Sequence, residues 1–174
     1  VMWSSPVLGP GTPATAYVGS PNGWAYAFRG GVQVWATKLS PASAALSSPA
    51  LGSDNTVYFA GDALYAVVGL TGVVKWNASL GAATTASPLV ASDGSIVLTS
   101  PVAAGNDTDL NVFEADGSLR SSSRLGSSVA SSPSQLSAGL VHITAGNALI
   151  VKNITSGTLV WVYVASRSLG AVTP

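Results

Sequence analysis

Residues Ala63 to Trp76 read ALYAVVGLTGVVKW. Two apolar runs, 63–68 and 73–76, flank a Gly-Leu-Thr-Gly turn, and the second run ends on an indole. β-Branched and aromatic residues in short runs, separated by residues that tolerate positive φ, predict a hairpin. The stretch recurs. GGVQVW at Trp35, TGVVKW at Trp76 and SGTLVW at Trp161 each carry a Gly four residues before the Trp, at Gly31, Gly72 and Gly157. A degenerate copy is ADGSLRS, where Gly117 keeps the Gly place and Ser121 holds the Trp place.

A second marker runs in phase with the first. SSP occurs at 4–6, 47–49 and 131–133, and ASP at 86–88, so the prolines are 43, 39 and 45 residues apart. Two markers with one period define four units: 4–46, 47–85, 86–130 and 131–171. A fifth opens at 172–174, in a single segment covering 1–174. Within the second unit, 48–51, 56–61, 63–68 and 73–76 read as strands divided by Ser-Asp-Asn, Gly-Asp and Leu-Thr-Gly turns. Four strands in roughly 42 residues predict an all-β propeller of four-stranded antiparallel blades, four of them in this segment. No helical period is present. The Gly serves the tight turn before the fourth strand. The Trp is expected to bury its ring between blades, with the indole N–H on a backbone carbonyl. Pro opens the first strand, where a missing donor costs little. On this reading Gly31, Gly72, Gly157, Trp35, Trp76 and Trp161 are blade-docking residues.

These residues also carry a resemblance. AVVGLTGVVKW (66–76) resembles the Ala-x-Asp-x-x-Thr-Gly-x-x-x-Trp motif of pyrroloquinoline-quinone-like propeller repeats, with Val68 at the Asp place. The preceding 47–66 and the stretch 87–100 resemble the rest of that repeat. The resemblance implies a blade-docking motif, shared by quinone-dependent dehydrogenases and by non-enzymatic assembly scaffolds. In the dehydrogenases it implies a quinone between a Trp and a disulfide of adjacent cysteines, a Ca²⁺ held by carboxylates and amides, and an Asp base. This chain has no Cys and one Glu, Glu114, and Asp54, Asp93 and Asp116 all adjoin turn residues. No quinoprotein centre is therefore expected in this segment, and no other cofactor.

Composition narrows the rest. Hydrophobic residues make up 47% of the 174, charged residues only 8%, and seven basic residues cancel seven acidic ones. No basic field exists for nucleic acid or an anionic surface. No apolar run reaches the roughly 20 residues of a membrane helix, so insertion is not expected. Without Cys, disulfides, thiolate zinc sites and thiol catalysis are excluded. Val1 and the lack of a leader-like segment read as a mature or internal piece of chain.

Few residues offer chemistry. His142, the single histidine, stands in the strand run LVHIT and is the one candidate for a Ser-His-Asp device. Asn106, Asp107 and Asp109 cluster in GNDTDLN, a weak candidate for Ca²⁺ that lacks a closing bidentate Glu. Asn-x-Ser/Thr occurs at Asn77, Asn106 and Asn153, each at a predicted surface position for an N-linked glycan. Glycans would also help keep so apolar and weakly charged a chain in solution. Trp24, Tyr26 and Tyr65 could line a central face.

The function expected is a non-enzymatic, extracellular, glycosylated scaffold that assembles with protein partners as a homo-oligomer or fibre. Two alternatives stand beside it. One is a fragment of a larger quinoprotein-type enzyme whose centre lies on other blades. The other is a carbohydrate- or peptide-binding propeller.

Overall fold

A computed structural model describes residues 4–41, 44–103, 107–126 and 131–164. The sequon at Asn106 and the unit opening at 172–174 lie outside the described residues. Each turn-bounded apolar run forms a strand. The first sheet holds β1 (Val7–Leu8), β2 (Thr15–Gly19), β3 (Trp24–Arg29) and β4 (Val32–Lys38). The second holds β5 (Ala50–Leu51), β6 (Thr56–Ala60), β7 (Ala63–Val68) and β8 (Val74–Ser79). The third holds β9 (Leu89–Val90), β10 (Ile96–Pro101), β11 (Thr108–Phe113) and β12 (Leu119–Arg124). The fourth holds β13 (Ser134–Ser137), β14 (Leu140–Ala145), β15 (Ala148–Asn153) and β16 (Leu159–Val164). Every sheet is an antiparallel meander in chain order, and each is one blade. Among the described residues no helix is long and apolar enough to cross a membrane.

Pro6, Pro49 and Pro88 stand directly before β1, β5 and β9, and Pro133 before β13. There the absent N–H breaks no ladder. The serines of the same motif have a role that the sequence reading did not assign. Ser4 Oγ pairs with the Gly19 amide and carbonyl at 2.9 Å, and Ser47 and Ser131 accept the amides of Ala60 and Thr144. The next serine links neighbouring blades: Ser48 Oγ accepts the Ser5 amide and Ser132 Oγ the Ser87 amide, each at 2.8 Å.

The middle strands are covered on both faces. β6 is buried at every position, and β7 and β10 at all but one. They therefore read as continuous apolar runs, whereas the outer strand β8 alternates with solvent. The fourth strand runs past the Trp. A register shift falls at Ala66/Val67, after which Tyr65 pairs with Asn77, Leu64 with Ala78 and Ala63 with Ser79. Asn77 thus sits within β8, exposed, rather than after it. The same bulge falls at Ala27/Phe28, Val112/Phe113 and Val151/Lys152, the same place in every blade.

The core lies in the seams. Tyr17, Ala27 and Trp35 of the first blade pack with Val57, Phe59, Tyr65 and Val67 of the second. Tyr58, Leu64 and Ala66 pack with Ile96, Leu98 and Phe113 of the third. Leu110 and Val112 pack with Val141, Ile143 and Ile154 of the fourth. No cluster among the described residues joins the fourth blade to the first.

Candidate functional site

Trp35 and Trp76 lie in the first two seams, and each of these seams is closed by two blades that supply different halves. In the first seam, Trp35 Nε1 donates to Gly69 O at 2.8 Å and the ring lies on Gly72. Gly72 has φ +75°, and a Cβ there would stand 2.7 Å from Trp35 Cδ2. Thr37 Oγ1 donates to Gly72 O, and Tyr17 stacks on the indole at 5.9 Å between centroids. The second seam repeats this. Trp76 Nε1 donates to Ala115 O at 3.0 Å, and its ring would lie 2.7 Å from a Cβ on Gly117. The Trp of each blade thus meets the Gly turn of the following blade.

The third seam lacks the device. Ser121 stands where the Trp would be, and a Cβ on Gly157 would meet nothing within 4 Å. The first and fourth blades carry halves that no described residue matches. Gly31 faces open space on the first blade, and Trp161 on the fourth is 44% exposed, against 8% for Trp35. Of the six residues read as docking elements, Trp35, Gly72 and Trp76 lie in seams, whereas among the described residues nothing packs on Gly31 or Gly157 and Trp161 is half exposed. The missing partner is always on the neighbouring blade.

The residues with catalytic or ligating chemistry are occupied elsewhere. His142 pairs across strands with Ser134, Oγ to Nε2 at 2.9 Å, and no carboxylate bonds to its ring among the described residues. Glu114 holds Arg120 through two oxygens at 2.6 and 2.9 Å, and the same guanidinium meets Asp93 at 2.7 Å. Asp107 and Asp109, read as weak Ca²⁺ ligands, both face Arg124, at 3.6 and 2.7 Å. Among the described residues no group of three His, Cys, Asp or Glu side chains could hold a metal. Tyr65 is buried in the first seam with its hydroxyl on Asp62, not on a central face. Trp24 and Tyr26 stack with Phe28 along β3, on the face turned away from the second blade. Asn153 ends β15 and its Oδ1 accepts the amides of Thr155 and Ser156, which fixes the turn below it.

The aspartates lock turns. Asp54, Asp93 and Asp116 each accept the amide and the hydroxyl of the Thr or Ser two residues on. The Thr56 hydroxyl, against some desolvation and with help from the Thr56 amide and Lys75, holds Asp54 down at about 2. Desolvation opposes the shift at Asp93, but the Ser95 hydroxyl, Arg120 and the Ser95 amide outweigh it and bring it to about 2. A depressed carboxyl contributes stability that is present above its unfolded value of 3.8 and lost as the pH falls toward 2. We expect urea midpoints to fall across that window. Thr56→Val should lose the Asp54 share, about 0.5 kcal/mol or less for so exposed a group. A flat midpoint from pH 4 to 2 would contradict it.

No known family signature matches the chain, and no curated protein matches it in sequence. Solved structures do. A quinohemoprotein alcohol dehydrogenase from Pseudomonas putida HK5 superposes with TM-score 0.76 at 16% identity, over 92% of this chain and 33% of that one. BamB from Moraxella catarrhalis gives 0.68 at 16%, over 87% and 50%. A protein of unknown function from Bacteroides caccae gives 0.64 at 16%, over 93% and 60%. The chain therefore spans 60% or less of each of these. At such identity the likeness is one of fold: the chain is a run of four blades built as in the pyrroloquinoline-quinone-like β-propellers.

Proposed function

We propose that this segment is a non-enzymatic assembly module, an extracellular glycosylated scaffold that docks blade against blade onto further copies of itself. One observation carries the reading: the first and fourth blades present complementary halves of the seam device that no described residue fills. The fourth blade offers Trp161 and Tyr163 on its downstream face, 44% and 61% exposed. The first blade offers the open turn at Gly31 and the stacked Trp24, Tyr26 and Phe28 on its upstream face. A first blade that meets the fourth blade of a second copy buries both halves together with the sheet faces around them. That contact is head to tail, and it closes into a ring or runs on as a fibre according to its rotation. The exposed sequon in β8 at Asn77 and the low charge support a glycosylated, secreted protein.

The test is the mass of the chain in solution. Sedimentation at micromolar concentration should give a multiple of 17.3 kDa, and Trp161→Ser should return it to one chain while leaving the fold intact. Ser is the residue that the third blade already carries at this place. A wild-type chain that stays monomeric, or an assembly indifferent to Trp161→Ser, would sink the reading. Intact mass before and after N-glycan removal from secreted material tests the glycan part separately. Sequons found bare would remove it.

A further inference from the structure

The third seam departs from the others at two positions at once. One is Ser121, in place of the Trp. The other is the residue just beyond the bulge on the third strand of the following blade. In the second blade that residue is Val67, buried in one cluster with Trp35, and in the third it is Phe113, on which Trp76 packs. In the fourth blade it is Lys152. Where the first two seams have an indole and an apolar side chain, this seam has a serine and a lysine.

Lys152 is 8% exposed as a whole residue, its stem packed in the seam, while its ammonium still reaches solvent and among the described residues has neither a hydrogen-bond nor an ion-pair partner. Burial pushes its pKa down. A cavity of about 310 Å³ opens beside it, lined by Arg124, Leu125, Ile150, Lys152, Leu159 and Val162. Arg124 brings no surplus charge, because Asp107 and Asp109 already face it. Of the two cations in the lining, Lys152 is the one without an ion pair among the described residues, and four of the six walls are aliphatic. An ammonium held at an aliphatic wall with no ion pair of its own is partly desolvated, and a carboxylate that pairs with it there is screened less than in bulk water. The volume lies at the small end of ligand clefts.

We propose that the seam between the third and fourth blades is a binding site for a small amphiphilic carboxylate. Its head group sits on Lys152 Nζ, and its aliphatic tail lies along Leu125, Ile150, Leu159 and Val162. One positive charge selects a monoanion over a dianion, and the aliphatic walls select an alkyl chain over a sugar. The site is independent of how the ends of the array assemble.

Decanoate titrated into the full chain by calorimetry is the probe. Saturable binding at one site per chain is expected. Lys152→Met keeps the bulk of the side chain and removes the charge. It should weaken binding about tenfold or more, the scale of a lost charge-assisted contact. Lys152→Arg should retain it, and decan-1-ol should bind as poorly as decanoate binds the Met variant. Ser121→Trp with Lys152→Val rebuilds the seam of the first two blade pairs and should abolish binding while raising the melting temperature. Failure of that double variant to fold would leave Lys152→Met, whose change is confined to a cavity wall, to decide. No saturable binding of decanoate to the wild type overturns the proposal. So does equal binding to wild type and Lys152→Met, as would follow from decanoate coating the exposed strand β16.

Discussion

Trp35→Ala should cost about 3–5 kcal/mol of unfolding free energy, the range for removing a buried aromatic ring. The ring fills the space between two sheets, and nothing in the rigid strands on either side can collapse into the void. Its loss also strips Gly69 O of the indole donor at 2.8 Å and leaves Tyr17 without its stacking partner. Trp161→Ala, at the same place in the fourth blade, should change stability by no more than about 0.5 kcal/mol, as at an exposed surface position. Both values come from urea unfolding at concentrations low enough to keep the chain monomeric, with the slope checked for constancy. Equal losses at the two positions would mean that the indole acts within its own blade, and the docking account of the repeat would fail.

Gly72→Ala should cost about 2–5 kcal/mol, combining the left-handed backbone penalty with overpacking against the indole. The methyl group would meet Trp35 Cδ2 at 2.7 Å and Thr37 Oγ1 at 2.8 Å. Gly157→Ala is the internal control. Its φ of +71° is nearly the same, but the space above it is empty. Only the backbone penalty remains there, about 1–2 kcal/mol. In a Trp35→Ala background, Gly72→Ala should drop toward the Gly157 value, because the clash has no second party. Denaturant midpoints of the four variants close the cycle. A Gly72 cost that stays constant would assign the whole effect to the turn itself.

Blade number, strand order and the seam tryptophans were legible because their signals are short-range. A Gly four residues before a Trp marks one hairpin, and a period near 42 residues counts the hairpins. Which Trp docks was not legible. The socket for Trp35 is built by Gly69 and Gly72, in the next repeat. A unit read alone cannot show whether its neighbour is present or degenerate. Trp161 looks like Trp35 in sequence and differs only in having no fifth blade against it among the described residues. Lys152 escaped notice for a related reason. A lysine in a strand reads as solvated, and its burial follows from the seam. The available signal was alignment of the repeats on their glycines. Val67 and Lys152 stand five residues before one and Phe113 four, so a cation occupies an apolar column. The serines before the prolines were seen as a phase marker. Their hydroxyls pair with strands 13 to 45 residues away, beyond the reach of any local pattern.

Among the described residues the core clusters join each blade only to its sequence neighbours, so the array behaves as a one-dimensional chain of couplings in which total stability is a sum over junctions. The junctions are unequal. Two are fastened by a ring on a glycine, and the third encloses a cavity beside a lone ammonium. Cooperativity therefore has a grain. The first three blades share their fate as one block, and the fourth is hinged to them by the weakest link, the unit that opens first and closes last.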